Sequence, residues 1–113
     1  MQLCQATWKC CGLKLDDIGC FQINEAQGAQ TLASAKELSL DISKLNVNGG
    51  AIALGHPLAA IGMRLTITLA RQMQLSGVRY GISSACVGLC RPVSACVGGG
   101  QGIALLLENP RSS

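Results

Sequence analysis

Two short runs in this 113-residue chain hold the residue types that chemistry needs. The first is Ala51-Ile52-Ala53-Leu54-Gly55-His56-Pro57, preceded by Asn46-Val47-Asn48-Gly49-Gly50. His56 is the sole histidine, and a histidine on a rigid glycine- and proline-bounded turn suits a general base, since its pKa lies near neutral. The same residues would equally make a structural turn around a hydrogen-bonded histidine, and both readings stand at this point. The second run is Cys96-Val97-Gly98-Gly99-Gly100-Gln101-Gly102. Glycines there can aim backbone N–H groups at an oxyanion, and a thiol beside them can serve as acid, base or nucleophile. A loop with a buried cysteine is the alternative. Neither run has the spacing of a Walker loop or of a GxGxxG turn opening a helix.

The elements that must position these runs can be read on either side of them. Ile18 to Ile23 roughly alternates and predicts a short strand. Asn24, with Gln27 three residues on, predicts a capping box opening a helix towards Leu38. Asn46 to Gly50 breaks regular structure, and Gly55-His56-Pro57 is a sharp stop. A helix is expected from about Ala59 to Leu75, with Ile61, Leu65, Leu69 and Met73 on its apolar face, Arg64, Thr68 and Arg71 on its polar stripe, and Gly77 ending it. Tyr80 to Ala85 and Ile103 to Leu107 read as strands. Residues 1 to 11 show no period, and the tail from Pro110 is expected to fray. One feature interrupts this order. Ser84-Ala85-Cys86-Val87-Gly88 recurs ten residues later as Ser94-Ala95-Cys96-Val97-Gly98, a local duplication too short for a solenoid repeat.

Composition narrows the classes. The length suits one domain. A chain 49% hydrophobic and 13% charged is neither disordered nor, with apolar runs as short as Ala51–Leu54 and Ile103–Leu107, a membrane-spanning one. The net charge of +3 comes from basic residues scattered singly from Lys9 to Arg111, which argues against nucleic-acid binding. Seven cysteines without a visible signal peptide point to reduced thiols in a cytoplasm-like compartment, with a mitochondrial one also open. No CxxC pair and one histidine make a metal site unexpected. So much apolar surface and so little charge suggest a chain meant to be covered by something else.

Taken together, Asn24-Glu25-Ala26, Asn46 to Pro57 (NVNGGAIALGHP) and Cys96 to Gly102 (CVGGGQG) resemble, in order and spacing, the C-terminal part of the thiolase family, over about Gly12 to Glu108. The resemblance implies an α/β fold with helices packed on a mixed sheet, dimers or tetramers, and acyl-CoA C-acyltransferase chemistry of fatty acid metabolism. That chemistry is thiolytic cleavage of a 3-ketoacyl-CoA or the reverse Claisen condensation, with coenzyme A thioesters as substrates and no tightly bound cofactor. It implies that His56 activates the nucleophilic cysteine and helps form one oxyanion hole, for which Asn24 holds a water. It implies that Cys96 moves the proton at the carbon α to the thioester, and that the Gly98 N–H serves the other oxyanion hole.

This chain departs from the family pattern in three places. The half carrying the acyl-accepting cysteine has no counterpart here, so the chain alone is expected to be inactive. Gln27 follows Ala26 where the family has Phe, and Ala59-Ala60-Ile61-Gly62 replaces a Gly-x-Ser-Gly, so bulk beneath His56 is expected. The duplication lets either Cys86 or Cys96 fill the catalytic loop; Cys96 is favoured because Gly99-Gly100-Gln101-Gly102 follows it. The competing expectation is a non-catalytic association module that pairs with a separate N-terminal thiolase half.

Overall fold

The computed structural model describes residues 2–86, 89–90, 96–97 and 102–112. Helix α1 (Gln2–Cys10) leads through a turn into strand β1 (Ile18–Ile23), then α2 (Gly28–Glu37), the four-residue α3 (Ala51–Leu54) and the long α4 (Ile61–Ser76). Strands β2 (Tyr80–Cys86), β3 (Leu89–Cys90), β4 (Cys96–Val97) and β5 (Gly102–Glu108) follow. The main sheet has the order β1-β2-β5, with β1 parallel to β2 and β2 antiparallel to β5. A parallel pair needs a long crossover, and the segment from Asn24 to Arg79, with α2, α3 and α4, supplies it. The architecture is α/β, with helices on a mixed sheet.

Successive strand residues face opposite sides of the sheet, and the core divides accordingly. Ile82 and Leu106 join Cys4 and Trp8 of α1 and Ala35 and Leu38 near α2 in one cluster. Leu107, next along β5, joins Cys20 with Leu69 and Met73 of α4 in another. Strand β1 is therefore covered on both faces and is buried along nearly its whole length rather than alternately. Leu65, Leu69 and Met73 of the expected apolar face of α4 are buried, each burial contributing about 1.5–3 kcal/mol, while Ile61 is half-buried. Gly77 stops the helix at φ +65°, where its N–H returns to the Met73 carbonyl.

Three expectations need correction, and one unassigned run gains an element. Residues 2–10 are a helix whose buried side chains include Cys4 and Trp8 at i and i+4; cysteine weighed as a thiol hid its role as a small hydrophobe. Asn24 does not cap α2. The N-cap is Gln27, without a side-chain cap bond, because the Asn24 N–H continues the strand pairing to the Ser84 carbonyl at 2.9 Å. The run Ala51–Leu54 is helical. The tail is held through Ser112: Asn109 N–H donates to the Arg79 carbonyl at 2.7 Å, and Arg111 N–H donates to Asn109 Oδ1 at 3.1 Å.

A set of large apolar side chains stays at the surface. Leu32, Ile42, Ile52 and Leu54 lie around α2 and α3, Met63 and Ile67 on α4, and Ile103 on β5. Beside Met63 and Ile67, all three guanidinium nitrogens of Arg64 are buried and meet no hydrogen-bond partner among the described residues.

Candidate functional site

The site is built where β1 ends. Strand pairing holds Ile23 opposite Ser84, and Asn24 follows directly, its N–H bonded to Ser84. The Asn24 side chain is buried, and its Oδ1 accepts no hydrogen bond from the described residues. With the capping role gone, nothing among the described residues competes for this oxygen.

The next residue locks the second loop in place. Glu25 Oε1 accepts from Asn46 Nδ2 at 2.9 Å, and Oε2 accepts from the Ile52 N–H, inside α3, at 3.1 Å. Asn46 in turn treats Ile23 as a strand partner: its Oδ1 accepts the Ile23 N–H and its Nδ2 donates to the Ile23 carbonyl, both at 2.9 Å. Its own N–H donates to the Phe21 carbonyl at 2.9 Å. Asn46 sits at φ +46°, a left-handed conformation that asparagine tolerates better than most residues. Gly50, the N-cap of α3, packs so closely on the Glu25 carboxylate that a Cβ there would overlap it. Helix α3 is thereby tied to the end of β1, and it delivers Gly55 (φ +94°) and then His56 and Pro57, all exposed. Ala59 and Ala60 are exposed and Ile61 half-buried beyond them.

The cysteines divide differently. Cys86 is the last residue of β2 and stands opposite Gly102 at the start of β5. Cys96 belongs to a separate two-stranded ladder, in which Leu89 faces Val97 and Cys90 faces Cys96. Gly98 lies outside the described residues. Thus the backbone brings Asn24 and Cys86 to the same end of neighbouring strands and ties the His56 loop there through Glu25, whereas Cys96 stands in another ladder.

Elsewhere, burial pushes the Cys20 thiol above its ordinary pKa, as suits an inert core cysteine, and Lys44 opposes that shift. Cys4 is also buried, while Cys10 and Cys11 are exposed. No group of three or more potential metal ligands occurs among the described residues. No helix among them is long and apolar enough to cross a membrane. Sequence reading missed Glu25 and Asn46 as positioning residues. Asparagine before Asn48-Gly49-Gly50 signalled a turn, but its bonds reach back 21 and 23 residues, a distance no local pattern reports.

The family model for the thiolase C-terminal domain matches residues 2–95. The mitochondrial 3-ketoacyl-CoA thiolase of Bos taurus is 49% identical over 98 residues, which are 87% of this chain and 22% of the relative. A 3-ketoacyl-CoA thiolase of Yersinia enterocolitica is 47% identical over 107 residues, 92% of this chain and 25% of the relative. The crystal structure of human mitochondrial 3-ketoacyl-CoA thiolase in complex with CoA superposes with a TM-score of 0.78 at 44% identity, over 92% of this chain and 24% of that one. The chain thus spans about a quarter of the length of the curated relatives it matches. With the family model covering most of its length and its α/β fold shared with a solved thiolase, the chain belongs to the thiolase family and corresponds to its C-terminal domain.

Proposed function

We propose that this chain is the C-terminal catalytic portion of an acyl-CoA C-acyltransferase acting on 3-ketoacyl-CoA and CoA, in which the nucleophilic cysteine belongs to an N-terminal thiolase half. The observation that carries this reading is Asn24. It is buried at the end of β1, held there by its backbone, with its Oδ1 unused by the described fold. A core asparagine serving structure alone would normally find a partner.

In the reaction, the thiolate of the N-terminal half attacks the keto carbon of the 3-ketoacyl-CoA. His56 takes the proton that frees that thiolate, and with the water on Asn24 it forms one of the two oxyanion holes. Cleavage of the Cα–Cβ bond leaves the acetyl-CoA enolate. The second cysteine of the site gives its thiol proton to the α carbon, and a backbone N–H of its glycine loop serves the other oxyanion hole. CoA thiolate then takes the acyl group from the enzyme cysteine. For the second cysteine, the strand register supports Cys86, which closes the ladder beside Asn24, over Cys96, which the CVGGGQG spacing alone favours.

Packing against an N-terminal half or a second copy draws support from the exposed Met63 and Ile67 and from the Arg64 guanidinium beside them, which has no partner among the described residues. Mixing the purified chain with the separately produced N-terminal part of a 3-ketoacyl-CoA thiolase and assaying acetoacetyl-CoA cleavage by CoA tests both halves of the proposal. Activity only in the mixture, abolished by H56A, is expected. Turnover by these 113 residues alone overturns the placement of the nucleophile in an N-terminal half. Co-purification without activity favours a non-catalytic association module, and no binding with no activity overturns the proposal.

A further inference from the structure

The ten-residue duplication leaves cysteines that one acyltransfer site cannot absorb, and the backbone brings two of them together. In the β3–β4 ladder Cys90 stands directly opposite Cys96. Opposed residues of an antiparallel pair have Cα atoms about 4.5 Å or 5.5 Å apart, depending on whether the pair is hydrogen-bonded. Both values fall within the about 4.4–6.8 Å that a disulfide spans. The other cysteines lack such an arrangement. Cys4 and Cys20 lie in separate core clusters on opposite faces of the sheet, Cys86 faces Gly102, and Cys10 and Cys11 are chain neighbours.

We propose that Cys90 and Cys96 form a redox-active thiol pair, which a low-molecular-weight disulfide such as oxidised glutathione converts into a cross-strand disulfide while Cys86 stays a free thiol. The proposal stands independently of the acyltransferase reading. One cysteine thiolate attacks a sulfur of oxidised glutathione, forming a mixed disulfide and expelling a glutathione thiolate. The thiolate of the other cysteine then attacks the protein sulfur of that mixed disulfide and expels the second glutathione thiolate. Two cysteine thiols lose two electrons, one glutathione disulfide gains them, and the two thiol protons end on two glutathione molecules. The ring closed in the chain is short, and its ends are already in register, so the second step is intramolecular and favoured over a lasting mixed disulfide.

The test is thiol mapping on the full chain. After equilibration with oxidised and reduced glutathione, remaining thiols are capped with iodoacetamide and the chain is cut with trypsin. Arg91 precedes Pro92 and resists cleavage, so one peptide, 80–111, carries Cys86, Cys90 and Cys96. The expected product has a single cap, which fragment ions place on Cys86. The disulfide is lost in both C90S and C96S and retained, in a peptide with no cap, in C86S. The equilibrium constant for its formation is expected to fall about tenfold when the register is erased in concentrated urea. A cap on Cys90 or Cys96, a persistent glutathione adduct, or the same cap distribution in urea as in native buffer overturns the proposal.

Discussion

The end of β1 and the end of β2 both carry glycine-rich runs beside residues of catalytic type, yet the fold treats them in opposite ways. At the end of β1, the Asn46–Gly50 run is fixed by side chains: Asn46 bonds to Ile23 on both of its polar backbone groups, and Glu25 bonds to Asn46 and to Ile52. At the end of β2, the sequence is written twice. The β2–β5 ladder closes at Cys86 and Gly102, and the duplicated residues contribute a second, two-residue ladder. Glycine gives a backbone access to unusual conformations, but it does not choose among them. A polar partner at long sequence distance does, and only the first loop has one among the described residues.

The largest expected effect is therefore at Asn46. N46A removes three side-chain hydrogen bonds and orphans the Ile23 N–H and carbonyl at the edge of the core, so a loss of about 3 kcal/mol in urea denaturation is expected. A loss below about 1 kcal/mol would mean the loop is held by something else.

Next is G50A, whose methyl group would run into the Glu25 carboxylate and cost about 2 kcal/mol. In an E25A background that cost should shrink to a few tenths of a kcal/mol, and a double-mutant cycle showing plain additivity would break the proposed lock.

A smaller, opposite effect is expected at the other end. Deleting residues 87–96 shortens the connection between Cys86 and Gly102 from 15 residues to 5 while leaving the β2–β5 ladder intact. Loop-closure entropy then stabilises the chain by about 1 kcal/mol, and a rise in the denaturation midpoint would show it. A fall would mean the β3–β4 ladder contributes to the main core.

The smallest effect concerns Cys20. Burial keeps its thiol protonated to higher pH in the folded chain than in the unfolded one. In the window just above the ordinary thiol pKa the unfolded chain binds fewer protons, so stability is full below that window and declines as pH rises through it. Thermal melts of C20A should lack this part of the alkaline slope; an unchanged slope assigns it elsewhere. In the same native protein, iodoacetamide should modify Cys10 and Cys11 well before Cys4 or Cys20.

Legibility followed the range of the interactions. The α4 helix, its Gly77 stop and the strand cores of β1, β2 and β5 were readable because periodicity and end signals lie within a few residues. Helix α1 escaped because its buried stripe includes a cysteine and a tryptophan, Cys4 and Trp8, in a segment without an obvious period. Asparagine before a helical pattern locally favours a cap, which is the role the sequence predicts for Asn24. Pairing with Ser84, 60 residues away, overrode the preference by extending the strand.

By itself the sequence determined the family, the catalytic candidates Asn24 and His56, and the existence of two competing cysteines, since these are properties of residue identity and spacing. Only the tertiary structure decided that Glu25 and Asn46 bind the two motifs together, that the Asn24 side-chain oxygen escapes the helix cap, and that Cys86, not Cys96, stands in register with Gly102. The duplicated segments are locally identical over five residues, and only the glycines that follow the second one favour Cys96 by near-neighbour context. Strand register weighs the other way, because each β2 residue is paired with a β5 residue at least 16 positions away.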